Sequence, residues 1–201
     1  MARNYASSTN IILGFCAYGH HKGFFHKLVA YDNLITGLQY ISSALTGNPY
    51  TGNGRNLSYR KDLFFAHKGY YKSLSLHAGD DDLFINESAT DQNTWVEYSP
   101  ESITEMAKID RFSMWKEMKV SRAATQRYYK GWNLTFFRME SLSYFLFFIA
   151  VIASILMGIL GNWLISILAG LLYIIRFSTK ATILHKSAKL LQQKPVTGWL
   201  F

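Results

Sequence analysis

The sequence predicts an α/β domain followed by a transmembrane helical hairpin. Over residues 1–107, short segments rich in β-branched and aromatic side chains alternate with stretches of helical hydrophobic periodicity. Residues 141–175 then form a run of 35 positions without a charged side chain. Such a run is too long for the core helix of a soluble protein. The mean hydropathy of +0.02 therefore averages two unlike parts.

Charge separates the same two parts. Residues 1–107 carry 8 Lys/Arg and 10 Asp/Glu, whereas residues 108–201 carry 13 and 3, so the net charge of +8 belongs to the C-terminal half. Basic residues flank the uncharged run on both sides, which indicates two cytoplasmic flanks and attraction to anionic lipid, in preference to nucleic-acid binding. The single Cys16 excludes a disulfide scaffold, and 16% aromatic residues exclude a disordered chain.

The first predicted elements are a strand and a long helix. Residues 10–18 alternate loosely and favour a strand. Residues 22–45 carry a broad apolar stripe at helical spacing, which predicts a helix kinked near Gly37. Residues 46–56, rich in Gly and Asn, follow as a loop with positions free to take positive φ. Regular structure resumes over residues 57–65.

An acidic segment and a basic helix complete the soluble part. Residues 79–82 are predicted to begin a helix, because carboxylates in a first turn face the positive end of the helix dipole. Residues 94–98 alternate as a strand, which Pro100 ends. Residues 108–130 are predicted to form an amphipathic helix with basic neighbours around its aromatic residues.

The uncharged run is divided by the sequence GILGN. A straight helix of 35 residues would extend roughly 52 Å, whereas the hydrocarbon core is about 30 Å thick. Two short spans, residues 142–160 and 163–177, are therefore predicted to form a hairpin, with a re-entrant pair as the alternative. Tyr144 and Tyr173 are expected at one membrane interface and Trp163 at the other.

These elements define four segments. Residues 1–107 form the α/β domain, 108–140 amphipathic basic interface helices, 141–177 two transmembrane helices, and 178–201 a basic cytoplasmic tail. The predicted location is the cytoplasmic (inner) membrane, as a multi-pass protein whose soluble part faces the cytosol.

The densest chemical signal is the run of carboxylates Asp80, Asp81 and Asp82. Adjacent carboxylates repel one another, and a fold tolerates them when a metal, a cationic ligand or a helix N-terminus offsets the charge, or when one acts as a base. A solvated helix start is the alternative interpretation. A glycine-rich loop precedes the triplet, and a helix with aromatic and basic residues follows it. The candidate residues in these two elements are Gly52, Gly54, Arg55, Asn56, Trp115, Lys119 and Arg122.

Through these motifs the sequence resembles the second half of a membrane-bound glycosyltransferase of family 2. The segment GNGRNLSYRKDLFF…KGY is similar to the family's glycine-then-arginine segment, and GDDDLFIN is similar to its acidic motif. WKEMKVSR is a poor counterpart of the Gln-x-x-Arg-Trp motif, and membrane helices follow it. The resemblance covers most of the chain.

The resemblance implies a partial GT-A-like fold over residues 1–107 and a hexosyltransferase-type activity. In such enzymes a sugar passes, with inversion, from a nucleotide-sugar donor to a hydroxyl of a sugar or lipid-linked acceptor at the cytoplasmic membrane face, in the synthesis of cell-envelope polysaccharide. The poor Gln-x-x-Arg-Trp counterpart implies non-processive transfer. The resemblance makes Asp80 the catalytic base, with Asp81 second. It makes Gly52, Gly54, Arg55, Asn56 and Asp82 an acceptor-binding or structural loop, and Trp115, Lys119 and Arg122 contacts to the diphosphate or acceptor.

The family's donor-binding half, with its Asp-x-Asp site for Mg²⁺ or Mn²⁺, has no counterpart in this sequence. The resemblance therefore implies a C-terminal fragment that binds no metal and is inactive alone, the metal belonging to a full-length parent. A second hypothesis is a small non-catalytic membrane protein that binds a partner or lipid head groups. Neither hypothesis includes nucleic acid as a partner.

Overall fold

The computed structural model divides the chain into two compact units, which are described separately. The residues it describes are 4–71, 73–74, 76, 79–131, 133–159 and 163–193. The first unit comprises residues 4–131 and 187–193, and the second comprises 133–159 and 163–186, within those described ranges.

A three-stranded sheet lies at the centre of the first unit. Its middle strand β1 (Ile11–Gly14) pairs antiparallel with one neighbour and parallel with the other. Every residue of β1 is buried, which accounts for its continuous apolar sequence, because a strand covered on both faces does not alternate. The neighbouring strands, labelled by their place in the chain, are β3 (Leu57–Tyr59) and β4 (Thr94–Glu97).

A second sheet continues directly from the first. β2 (Cys16–Tyr18) pairs in parallel with β5 (Thr104–Met106). The predicted strand over residues 10–18 is thus two strands, separated by the buried Phe15. Each half finds a different partner, a division that alternation along one segment does not reveal.

Helix α1 (Phe24–Leu45) begins after Gly23, whose φ of 110° is in the region that favours glycine. The helix packs on the sheets, and the Tyr40 hydroxyl donates to the Gly14 carbonyl at 2.8 Å. Gly37 permits close packing, since a Cβ there would lie 2.2 Å from the Phe15 ring. Contact with the Phe15 ring is the reason the structure gives for this glycine.

Three further helices surround this core. They are α2 (Lys61–Ala66), α3 (Asp82–Ser88) and α4 (Phe112–Gln126). The last is shorter at both ends than the predicted helix over 108–130.

The compact first unit extends to Gly131, so its edge falls inside the predicted interface segment 108–140. Trp115 and Met118 of α4 pack against the core cluster around β2 and β5. Helix α4 therefore belongs structurally with the soluble core.

The second unit contains α5 (Asn133–Ile159) and, antiparallel to it, α6 (Trp163–Leu190) as far as residue 186; the last turn of α6 belongs to the first unit. The Ser166 hydroxyl of α6 donates to the Ser154 carbonyl of α5 at 2.7 Å. Within the described ranges, α6 is the helix long and apolar enough to cross a membrane, and Leu142–Gly158 of α5 is a shorter apolar stretch.

The observed helices extend beyond the predicted membrane spans, residues 142–160 and 163–177. Most of the GILGN break lies outside the described residues. α6 continues beyond the predicted end at residue 177, so the first part of the predicted tail is helical. The structure therefore has mixed α/β content with a small sheet, followed by a long apolar helix.

Candidate functional site

The acidic triplet lies at the start of α3, and its second carboxylate caps that helix. Asp81 is the N-cap residue, and its Oδ1 accepts the Asp82 N–H at 2.9 Å. Its Oδ2 accepts the Gly54 N–H at 2.6 Å. Both carboxylate oxygens are therefore held by backbone donors, and the glycine-rich loop is attached to the acidic segment.

Asp82 is buried, with 7% of its surface exposed. Its Oδ2 accepts the hydroxyls of Thr125 at 2.5 Å and Tyr129 at 2.8 Å, and its Oδ1 accepts the Leu83 N–H at 2.8 Å. A buried carboxylate is costly unless it is hydrogen-bonded, and these three donors offset that cost. The same bonds join the start of α3 to the end of α4.

Asp80 is the exposed member of the triplet. Among the described residues no hydrogen bond to its carboxylate is present. It lines a cavity of about 350 Å³ together with Gly54, Tyr59 and Tyr70, and the two tyrosine hydroxyls are 2.5 Å apart. Asp80 is thus the carboxylate whose oxygens remain available to a ligand.

The glycine-rich loop is shaped by close packing. A Cβ on Gly54 would lie 2.9 Å from the Asp81 carboxylate, and one on Gly52 would lie 3.1 Å from Leu13. Within the predicted loop over residues 46–56, positive φ occurs at Gly47. The glycines nearest the acidic triplet are therefore required by space.

Two other loop residues have different surroundings. Asn56 is buried, and its amide donates to the carbonyls of Phe15 at 2.6 Å and Ser102 at 2.8 Å, which fixes the loop to the core. The exposed Arg55 approaches Met118 of α4, with 4.0 Å between Nη2 and Sδ.

Helix α4 is attached to α1 through Asp32. The Trp115 indole Nε1 donates to Asp32 Oδ2 at 3.1 Å, and Lys119 Nζ lies 2.6 Å from Asp32 Oδ1. The sequence does not indicate a role for Asp32, because it is an isolated acidic residue within an apolar stripe. Its carboxylate orients the basic face of α4.

Five of the candidate residues line one cavity of about 240 Å³. They are Gly52, Asp81, Asp82, Lys119 and Arg122. Side chains of α1 that sequence reasoning did not select, Thr36, Gln39 and Tyr40, complete the wall. Trp115 instead lines a smaller neighbouring space shared with Lys119 and Arg122. The larger cavity therefore brings the loop, the carboxylates and the cations together.

Tyrosine hydroxyls at this site stay protonated. Burial and the nearby Asp82 charge raise the pKa of Tyr129 well above its ordinary value. Burial also raises the pKa of Tyr40, and burial with the Tyr59 hydrogen bond raises that of Tyr70. At neutral pH these groups are hydrogen-bond donors.

The described residues do not fit a site for Mg²⁺ or Mn²⁺. Within the part of the chain that the structure describes, no group of three or more His, Cys, Asp or Glu side chains could hold a metal ion. Asp82 is occupied by two hydroxyls and a backbone N–H, and Asp81 by two backbone N–H groups.

Comparison with known proteins gives no relative. No protein-family model, curated protein sequence or solved structure matches this chain.

Proposed function

We propose that the chain forms the acceptor side of an inverting, non-processive glycosyltransferase of the GT-A type. The supporting observation is that the glycine-rich loop, Asp81, Asp82 and the cations of helix α4 line one cavity of about 240 Å³. Asp80 lines a second cavity of about 350 Å³, which shares Asp81 with the first. A site for sugar transfer needs both a base for the acceptor and positive charge for a diphosphate leaving group.

Asp80 is the proposed base. The acceptor hydroxyl oxygen forms a bond to the anomeric carbon, its proton passes to the Asp80 carboxylate, and the bond from that carbon to the diphosphate breaks. Asp81 and Asp82 are less suitable as bases, because their oxygens already accept hydrogen bonds from the protein. Within the described part of the chain, Asp80 is the member of the triplet whose carboxylate accepts no hydrogen bond.

Lys119 and Arg122 are proposed to offset the charge of the departing diphosphate. Both line the cavity from α4. The Asp32 carboxylate positions Lys119, while the planar guanidinium of Arg122 suits bidentate contact with phosphate oxygens. The nucleotide-sugar donor and its divalent metal are assigned in this proposal to a donor-binding half of the parent enzyme.

The second unit is proposed to be a two-span membrane anchor. α6 has the length and composition of a span, and antiparallel pairing with α5 is the arrangement that two spans with a short connection require. Basic residues on both flanks favour a cytosolic soluble part. The acceptor would then be a sugar or lipid-linked hydroxyl at the cytoplasmic face.

Transfer of labelled sugar tests the proposal. Membranes carrying the product of the complete reading frame are incubated with a panel of labelled nucleotide-sugars, and labelled lipid or saccharide and free nucleoside diphosphate are measured. Arg122→Gln is expected to reduce transfer by about 10-fold to 100-fold, since it removes charge stabilisation, whereas the exposed Arg127→Gln serves as the matched control. No transfer from any donor would favour the non-catalytic, lipid-binding hypothesis.

A binding measurement tests the assignment of the donor site. The isolated 201-residue chain is expected to show no tight binding of a labelled nucleotide-sugar with Mn²⁺. Tight binding would show that this chain holds a donor site of its own and would contradict the acceptor-side assignment.

A further inference from the structure

The contact between α5 and α6 contains a cluster of cations and aromatic rings. The guanidinium carbon of Arg176 lies 4.3 Å from the ring centroids of both Tyr144 and Phe147. The Lys180 ammonium, one helical turn further along α6, lies 4.9 Å from the Tyr144 centroid. Tyr173 stacks on Phe147 with 6.3 Å between centroids. Two cations thus share one aromatic wall.

A cavity of about 100 Å³ lies at this cluster. The same residues line it, together with Phe148 and Phe177. Its lining is aromatic apart from the two cationic groups and the tyrosine hydroxyls. This combination suits a ligand with an anionic group attached to an apolar body.

The cluster lies where the apolar segments end. Tyr144 is near the beginning of the apolar stretch Leu142–Gly158, and Arg176 is the first charged residue after the uncharged run over 141–175. In a membrane span, aromatic and long basic side chains at such positions lie at the level of the lipid head groups.

The charge of Arg176 favours an external anion. Residues 141–201 contain no Asp or Glu, and Glu140 is the acidic residue that precedes them, so this segment offers the guanidinium no acidic side chain. Contacts with ring faces engage its positive charge without using its five N–H donors. Those donors form a fork that matches phosphate oxygens.

We infer that Arg176, positioned by Tyr144 and Phe147, binds the phosphate of an anionic phospholipid. The acyl region of that lipid lies along the aromatic wall. The inference rests on the proposed membrane placement of α5 and α6 and is independent of sugar transfer.

Lipid retention tests the site. The full chain is purified in mild detergent from bilayers containing equal amounts of phosphatidylglycerol and phosphatidylcholine, and bound lipid is counted by native mass spectrometry. The wild-type chain is expected to retain phosphatidylglycerol in preference to phosphatidylcholine. In the Arg176→Gln variant the preference is expected to fall by roughly fivefold, since a basic residue near the head groups adds attraction for anionic lipid.

Matched variants make the result specific. Lys186→Gln removes the same charge elsewhere on α6 and is expected to retain the preference. Arg176→Lys, which keeps the charge without the fork, is expected to have an intermediate preference. Equal loss in Lys186→Gln, or no loss in Arg176→Gln, would overturn the site. Displacement of the bound lipid by millimolar inorganic phosphate would show that the site binds free phosphate and is not specific for a lipid head group.

Membrane insertion is measured separately. Resistance to carbonate extraction and unchanged far-UV circular dichroism are required of each variant in the comparison. A wild-type chain that is released by carbonate would overturn both the membrane placement and the lipid site. Loss of sugar transfer with lipid retention intact would contradict the proposed function alone.

Discussion

At the residue scale, the three carboxylates of the triplet have three different surroundings. Asp80 is exposed, Asp81 is held by backbone N–H groups, and Asp82 is buried against Thr125 and Tyr129. The sequence predicts that the triplet is important and that it begins a helix. It does not distinguish the three roles, because the partners of Asp82 are 43 and 47 residues away.

Removal of the buried carboxylate is predicted to destabilise the fold. Asp82→Ala leaves the hydroxyls of Thr125 and Tyr129 without their acceptor, and the free energy of unfolding is expected to fall by about 2–4 kcal/mol. Asp80→Ala, at an exposed position, is expected to change it by less than about 0.5 kcal/mol. Chemical denaturation followed by tryptophan fluorescence measures both. Equal effects of the two substitutions would show that the Asp82 network does not stabilise the protein.

Alkaline titration reports the raised tyrosine pKa values. Tyr40, Tyr70 and Tyr129 have pKa values above the ordinary value of 10.0. A group whose pKa is raised in the folded state stabilises it below the unfolded pKa and loses that contribution as pH rises further. Stability is therefore expected to decline above about pH 10. Phenolate absorbance at increasing pH should leave at least these three of the 13 tyrosines protonated until the protein unfolds.

At the element scale, the position of the acidic helix depends on Gly79. Its φ is 114°, and a Cβ there would lie 2.7 Å from Leu83 and 3.2 Å from Thr125. Gly131 provides a matched control, because its φ is 96° with no atom within 4 Å of the Cβ position. Both substitutions by Ala incur backbone strain, and only the first adds a steric clash.

Gly79→Ala is accordingly predicted to cost about 1–2 kcal/mol more than Gly131→Ala in the free energy of unfolding, the excess being the clash. Thermal unfolding of the two variants measures the difference. The same loss of stability in both variants would mean that backbone strain at positive φ alone explains the cost of substituting Gly79.

Elements with strong local patterns were predicted well. The periodic stripe predicted α1 to within two residues of its observed start at Phe24 and its end at Leu45. The ends of α4 were less predictable, because its N-cap residue Arg111 makes no side-chain capping bond. The meeting of the loop, Asp81, Asp82 and α4 in one cavity follows from tertiary packing. The sequence shows only the order of these segments along the chain.

At the scale of the whole molecule, Gln193 joins the C-terminal residues of the first unit to strand β2 of the same unit. Its amide donates to the Tyr18 carbonyl and accepts the Tyr18 N–H, both at 2.8 Å, and the residue is 2% exposed. This pairing continues the edge of β2 much as a strand would. The 175-residue separation of the partners places it beyond reach of local patterns.

Gln193→Ala is predicted to lower the free energy of unfolding of the first unit by about 2–3 kcal/mol, because two buried backbone groups of Tyr18 lose their partner. The exposed neighbour Gln192→Ala is expected to change it little. Hydrogen exchange at the Tyr18 amide offers a local readout. Unchanged protection in Gln193→Ala would contradict the role of this contact.

The central claim is that Asp80 is the base of a sugar transfer. The most direct measurement is the rate of sugar transfer in membranes carrying the Asp80→Asn variant, with folding checked by circular dichroism. The account predicts a decrease of about 100-fold or more, as expected for loss of a general base. A rate within a few-fold of the wild-type value for Asp80→Asn would contradict it, and the same result with Asp81→Asn would remove the acidic triplet from the chemistry.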